Sequence, residues 1–165
     1  MPAIAHIGIG LAAKKIAPDI NVWILILAAE FIEIVFFILY FAGIEIMPTN
    51  DLAPFTPYSH SLFMGIVWSI FVSVITYIVS RNNRTSVILG LLVFSHTILD
   101  IIASPKLAFY PKDLALPIFF DYSKSVGLGL WSSSTVAAFG EFGIVILGLG
   151  IYIHTRLKIK SKTTL

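Results

Sequence analysis

The chain contains no cysteine, and only 12% of its 165 residues are charged. The first absence excludes disulfides, zinc–thiolate sites and thiol nucleophiles, so any metal must be held by His, Asp or Glu. The second, with 58% hydrophobic residues and a mean hydropathy of +0.94, excludes the balance of a soluble domain. A net charge of +2 leaves no broad basic surface, so nucleic acid is not an expected partner. No basic segment precedes the first apolar run, since Lys14 and Lys15 follow it, and a cleaved signal peptide is not expected. No GxSxG elbow surrounds Ser59, Ser61 or Ser95, which removes the support for a serine hydrolase. The glycine-rich stretches near Gly8 and Gly148 lack the Lys and Ser/Thr of a phosphate loop and read as close helix packing.

What the sequence does hold is long apolar runs. Ile20 to Gly43, Tyr58 to Ser80, Thr85 to Ala103 and Ser134 to His154 are each long enough to cross a bilayer as a helix. They lack the alternation of barrel strands. AIAHIGIGLAA, before the first run, is too short to cross alone, and Pro18 and Asp19 separate it from that run. The expected fold is therefore all-α: a single transmembrane domain over residues 1–165, with four spans and an N-terminal partial or re-entrant helix.

Three basic clusters fall on one side of such a bundle: Lys14 and Lys15; Arg81 and Arg84; and Arg156, Lys158, Lys160 and Lys162. The positive-inside rule makes that side cytoplasmic, giving a multi-pass cell-membrane protein with both termini inside. Lys106, Lys112 and Lys124 oppose this from the connection between residues 104 and 133, where Asp113 and Asp121 accompany them. That connection, LAFYPKDLALPIFFDY and then GLGLW, is apolar enough to lie on the membrane surface or to cap the bundle as a lid.

Ionisable residues interrupt the spans at Glu30, Glu33, His96, Asp100 and Glu141, with His60 near the outer end of the second. Intramembrane carboxylates are costly and usually face a partner, a bundle interior or a water-filled cavity. At about 1.5 Å per residue from the basic side, Glu30 and His96 lie roughly 15 Å deep, and Glu33, Asp100 and Glu141 about 20 to 22 Å. A half-buried first helix lifts His6 roughly 12 to 14 Å into the same layer, whereas His60 comes out too high, near 30 Å. His96 and Asp100 are spaced i, i+4 and Glu30 and Glu33 i, i+3, so each pair shares a helix face. Imidazole and carboxylate together suit zinc, iron or manganese, and an open position on such an ion activates water. Against this stand plainer roles: His96 and Asp100 as a metal-free packing pair, Glu33 or Glu141 as a helix–helix hydrogen bond, His60 as a helix cap, and His154 as an interfacial residue.

The order AHIGIG, AAEFIE, PYSHSL and SHTILDIIASP, from His6 to Pro105, resembles the LexA-binding, inner-membrane-associated metal-dependent hydrolases. In that family an early His, an Asp-rich segment, a THS-type motif and an SHxxxD motif supply the metal site. The resemblance implies His6, Glu30, His60, His96 and Asp100 as ligands of a divalent ion, zinc first, with iron or manganese as alternatives. AAEFIE replaces a PDxDH-like segment, so Glu33 is the alternative to Glu30, and PYSHS replaces HRGxTHS without its extra His and Arg. Glu141 and GLGLW look like features of a PYSHSL-containing branch.

The expected function is metal-dependent hydrolysis of a lipid or lipid-linked phosphoester by activated water, with Glu33 or Glu141 as general base. Two other classes stand beside it. The same cluster suits proton or metal-ion transport, which four spans would support only in an oligomer, or the polar residues serve helix packing in a structural protein.

Overall fold

The computed structural model describes residues 4–47, 56–104, 107–108, 116–120, 125–131 and 133–163. Lys106, Lys112, Asp113, Asp121, Lys124 and Pro105, weighed above, lie outside the described residues. The helices are α1 (Ala5–Ala12), α2 (Val22–Ala29), α3 (Phe31–Phe41), α4 (Pro57–His60), α5 (Leu62–Ser80), α6 (Asn83–Ala103) and α7 (Ser134–Thr163). A 3-10 turn, Ala13–Lys15, closes α1.

Three of these, α5, α6 and α7, are long and apolar enough to cross a membrane, and α2 with α3 makes a fourth if the bent pair counts as one span. Their packing differs sharply. In the most apolar stretch of α6 56% of residues are buried, against 6% in α5 and in α7, so α6 is the central post and the others turn apolar surface outward.

The first expected span, Ile20 to Gly43, is not one continuous helix. It bends by 56° between α2 and α3 at Glu30, whose φ of −91° and ψ of 2° leave the helical region. The second begins later than the hydropathy indicates. Pro57 starts α4 as a separate turn, and Ser61, with ψ of 151°, ends it and caps α5 by accepting the Met64 N–H at 3.1 Å. The last runs well past His154 to Thr163.

α1 is wedged between α7 and α2, and small residues make this possible. A Cβ on Gly8 would lie 2.6 Å from the Ile144 carbonyl oxygen, and one on Gly148 would collide with the Gly8 carbonyl. At the basic end, Arg84 Nη2 donates to the Ile16 carbonyl at 2.8 Å and Lys14 Nζ to that of Ile20, tying the 3-10 turn to α6 and to the start of α2. Above these anchors a core of Ala13, Ala17, Leu25, Ala28, Ile32, Leu89, Leu92 and Val93 fills the space between α2 and α6.

At the opposite end, three short strands form an antiparallel sheet ordered β1 (Leu107–Ala108), β3 (Ser125–Leu128), β2 (Leu116–Pro117). Leu107 pairs with Leu128 and Leu116 with Val126. β3 packs against α6, β2 against α4, and the Ile118 carbonyl accepts the Phe63 N–H at 3.0 Å. The described part of this connection therefore caps the bundle end where α4 and α5 meet.

Candidate metal centre

Four helices deliver five ionisable side chains to one place. His6 comes from α1, Glu33 from α3, His60 from the end of α4, and His96 and Asp100 from α6. His96 Nε2 lies 3.5 Å from Asp100 Oδ2 and 3.9 Å from Glu33 Oε1. His60 Nε2 lies 3.7 Å from Glu33 Oε1 and 3.9 Å from Asp100 Oδ2, while His6 Nε2 is 3.6 Å from Asp100 Oδ1. The His6 and His96 rings stack in parallel, with centroids 3.6 Å apart. Four of the five side chains are at most 1% exposed, and Glu33 is 17% exposed.

These distances are too long for hydrogen bonds. His6 Nε2, His60 Nε2, His96 Nε2 and both Asp100 oxygens are buried without a hydrogen-bond partner among the described residues. Buried polar atoms are normally satisfied, so a cluster of orphans that are all good ligand atoms calls for a common partner. Donors bound tetrahedrally at about 2.0–2.2 Å sit roughly 3.3–3.6 Å apart, a few tenths of an ångström inside most of the separations seen here. The residues present therefore fit a metal ion.

Among the described residues, two groups are close enough to share an ion: His6, His96 and Asp100, and Glu33, His60 and His96. Both require His96 Nε2. A neutral imidazole nitrogen has one lone pair to give, so the groups are two sides of one site.

The local structure explains how the His96 ring is turned and how His60 reaches the cluster. Ala29 is the last residue of α2, where the carbonyls lack helical partners, and its oxygen lies 2.9 Å from His96 Nδ1. A carbonyl only accepts, so Nδ1 carries the proton and neutral His96 turns an Nε2 lone pair to the cluster. His60 reaches the layer because α4 ends at Ser61, which removes the excess height that a continuous second span implied; its ring packs edge-on against Phe36 at 5.6 Å.

The remaining candidates lie apart from these groups. Glu141 Oε2 accepts the Ile4 N–H at 3.1 Å and so holds the start of α1, two residues before His6. Glu30, at the α2–α3 bend, belongs to neither group among the described residues; its Oε1 is buried and unpartnered, within electrostatic reach of His6, Glu33 and Asp100. His154 lines a shallow pocket with Lys15 and Lys158 at the basic end.

One contributor carries no signal in the sequence. Glu45, between the first two apolar runs, is 1% exposed. Its Oε1 accepts the N–H groups of Tyr58 and Ser59, each at 2.8 Å, and its Oε2 the Ser59 hydroxyl at 2.6 Å. A loop carboxylate has no periodicity to betray burial, and only the Gly43 turn, with φ of 73°, hints that the chain folds back there.

No family model, curated protein or solved structure matches the chain.

Proposed function

We propose that the chain is a multi-pass membrane protein whose buried cluster holds one divalent metal ion, zinc in first place, and uses it to hydrolyse a lipid or lipid-linked phosphoester. The carrying observation is the convergence of three imidazoles and two carboxylates from four helices, with the three Nε2 atoms and both Asp100 oxygens buried and lacking a hydrogen-bond partner among the described residues. The ligands would be drawn from His6, Glu33, His60, His96 and Asp100, with His96 common to both possible sets and a position left open for water. Such an ion supplies Lewis acidity and brings the pKa of a coordinated water toward neutrality. Glu30, whose Oε1 is buried with no hydrogen-bond partner among the described residues, is the group free to take a proton.

Lipid is favoured as substrate because the site's exposed member, Glu33, shares α3 with the exposed apolar side chains of Ile34, Phe37 and Ile38. An amphiphile held against that face brings its head group to the cluster without leaving the hydrocarbon. The motif order shared with the inner-membrane metal-dependent hydrolases supports the same reading. The clustering of Lys14, Lys15, Arg84, Arg156 and Lys158 around one end of the bundle supports an orientation with that end cytoplasmic.

Elemental analysis of protein purified without added metal, followed by phosphate release from lipid phosphoesters in mixed micelles, tests this reading. About one equivalent of metal is expected, together with turnover that His96→Ala and Asp100→Ala abolish while the fold is retained. Wild type that is folded but binds no metal refutes the site; metal binding without turnover on any phosphoester lipid refutes the reaction.

A further inference from the structure

The metal reading uses His60 but does not explain what fixes its ring. Ser59 Oγ lies 2.7 Å from His60 Nδ1 and 2.6 Å from Glu45 Oε2, and Ser59, His60 and Glu45 are all at most 2% exposed. A hydroxyl has one proton. Glu45, already accepting two backbone N–H groups through Oε1, takes that proton through Oε2 as a carboxylate acceptor, and Ser59 Oγ is left to accept from His60.

We propose that Glu45 is a positioning residue which, through Ser59, holds the His60 proton on Nδ1 and so keeps Nε2 free as a metal ligand. The chain of donation runs His60 Nδ1–H to Ser59 Oγ, then Ser59 O–H to Glu45 Oε2. It parallels the Nδ1–H bond from His96 to the Ala29 carbonyl, so two of the three imidazoles are locked in the same tautomer by different means. Partners of this kind orient metal-binding histidines, and their loss typically costs about 10–100-fold in metal affinity.

The inference rests on the metal reading for its consequence but not for the tautomer itself. A plainer role competes with it, because Glu45 also caps the first turn of α4 through two backbone N–H groups. Ser59→Ala separates the two, since it removes the hydroxyl and leaves both of those bonds possible. Glu45→Gln goes further. Its amide presents N–H to Ser59, which reverses the hydroxyl, makes Nδ1 the acceptor and moves the His60 proton to the ligating nitrogen.

The test is 15N NMR of histidine-labelled protein, with His60 assigned by substitution, alongside zinc affinity by competition with a chromophoric chelator. Wild type is expected to carry the His60 proton on Nδ1. Ser59→Ala should lose about 10–100-fold in zinc affinity without change in its metal-free unfolding temperature. The Glu45→Gln, Ser59→Ala double variant should be no weaker than the worse single one, because both break one path. A wild-type His60 protonated on Nε2 overturns the proposal, as does Ser59→Ala binding zinc like wild type. Wild type that binds no zinc, with Nδ1 protonated, overturns the metal reading alone.

Discussion

Removing the metal is expected to lower the thermal unfolding temperature by about 8–16 °C. The cause is the set of buried ligand atoms that have no hydrogen-bond partner among the described residues: His6 Nε2, His60 Nε2, His96 Nε2 and the two Asp100 oxygens. An unsatisfied buried polar group costs about 1–3 kcal/mol, so these atoms together represent about 5–15 kcal/mol that coordination would relieve. What an experiment reads is set by mass action: with free metal at 1,000 times Kd the folded state gains about 4.1 kcal/mol. For a chain of this length each kcal/mol moves the transition by about 2–4 °C. Tryptophan fluorescence reports the transition in detergent micelles, since the protein has three tryptophans. Zinc-loaded and chelator-treated samples are compared, with His96→Ala as a second pair, because His96 is common to both ligand groups. That variant is expected to unfold at one temperature whether or not zinc is added. Coincident wild-type curves with and without zinc would refute the reasoning, and so would a full zinc-dependent shift in His96→Ala.

Three further outcomes follow from the geometry. Glu33→Ala is expected to weaken zinc binding more than Glu30→Ala, since only Glu33 joins a ligand group; equilibrium competition measurements giving the reverse order would move the carboxylate ligand to the α2–α3 bend. Glu141→Ala should destabilise the protein by about 1 kcal/mol through loss of the bond to Ile4 N–H, whereas Glu141→Gln keeps an acceptor oxygen and should melt near wild type. If Glu141→Gln retains its melting temperature but loses turnover, Glu141 acts in the chemistry after all. Gly148→Leu puts a side chain into the Gly8 carbonyl and is expected to cost about 1–3 kcal/mol or more and to lower bound zinc by displacing His6; unchanged melting and metal content would show that α1 is not held as described.

Much of the fold was legible because hydropathy reports length and apolarity directly. The stretches that become α5, α6 and α7 stand out as runs, and the i, i+4 spacing of His96 and Asp100 survives because α6 is continuous. Depth counting grouped His6 and Glu33 with His96 and Asp100, and the structure has their side chains within 3.9 Å of that pair. It failed for His60. A rise of 1.5 Å per residue presumes an unbroken helix, and α4 is a separate turn whose end at Ser61 redirects the chain. The choice between Glu30 and Glu33 was not legible either, since a 56° bend at Glu30 changes which way the two carboxylates point without altering hydropathy.

The site is built where helices stop. α1 ends after three turns' worth of chain or less, α2 breaks at Glu30, and α4 ends at His60; each interruption brings an ionisable side chain or a backbone acceptor into the same layer, against the uninterrupted α6. In hydrocarbon, an interrupted helix leaves carbonyl and N–H groups that must find partners inside the protein. Here they find them in the site or in side chains that support it: the Ala29 carbonyl accepts His96 Nδ1–H, the Ile4 N–H donates to Glu141, and the Tyr58 and Ser59 N–H groups donate to Glu45. The backbone groups released by the breaks thus orient one ligand directly and anchor the elements that carry two others. A continuous four-helix bundle of the same composition would satisfy its backbone internally and have no such means of aiming imidazoles. Substitutions that straighten a break should therefore weaken metal binding while leaving helix content intact, the opposite of what a purely structural set of polar residues would give.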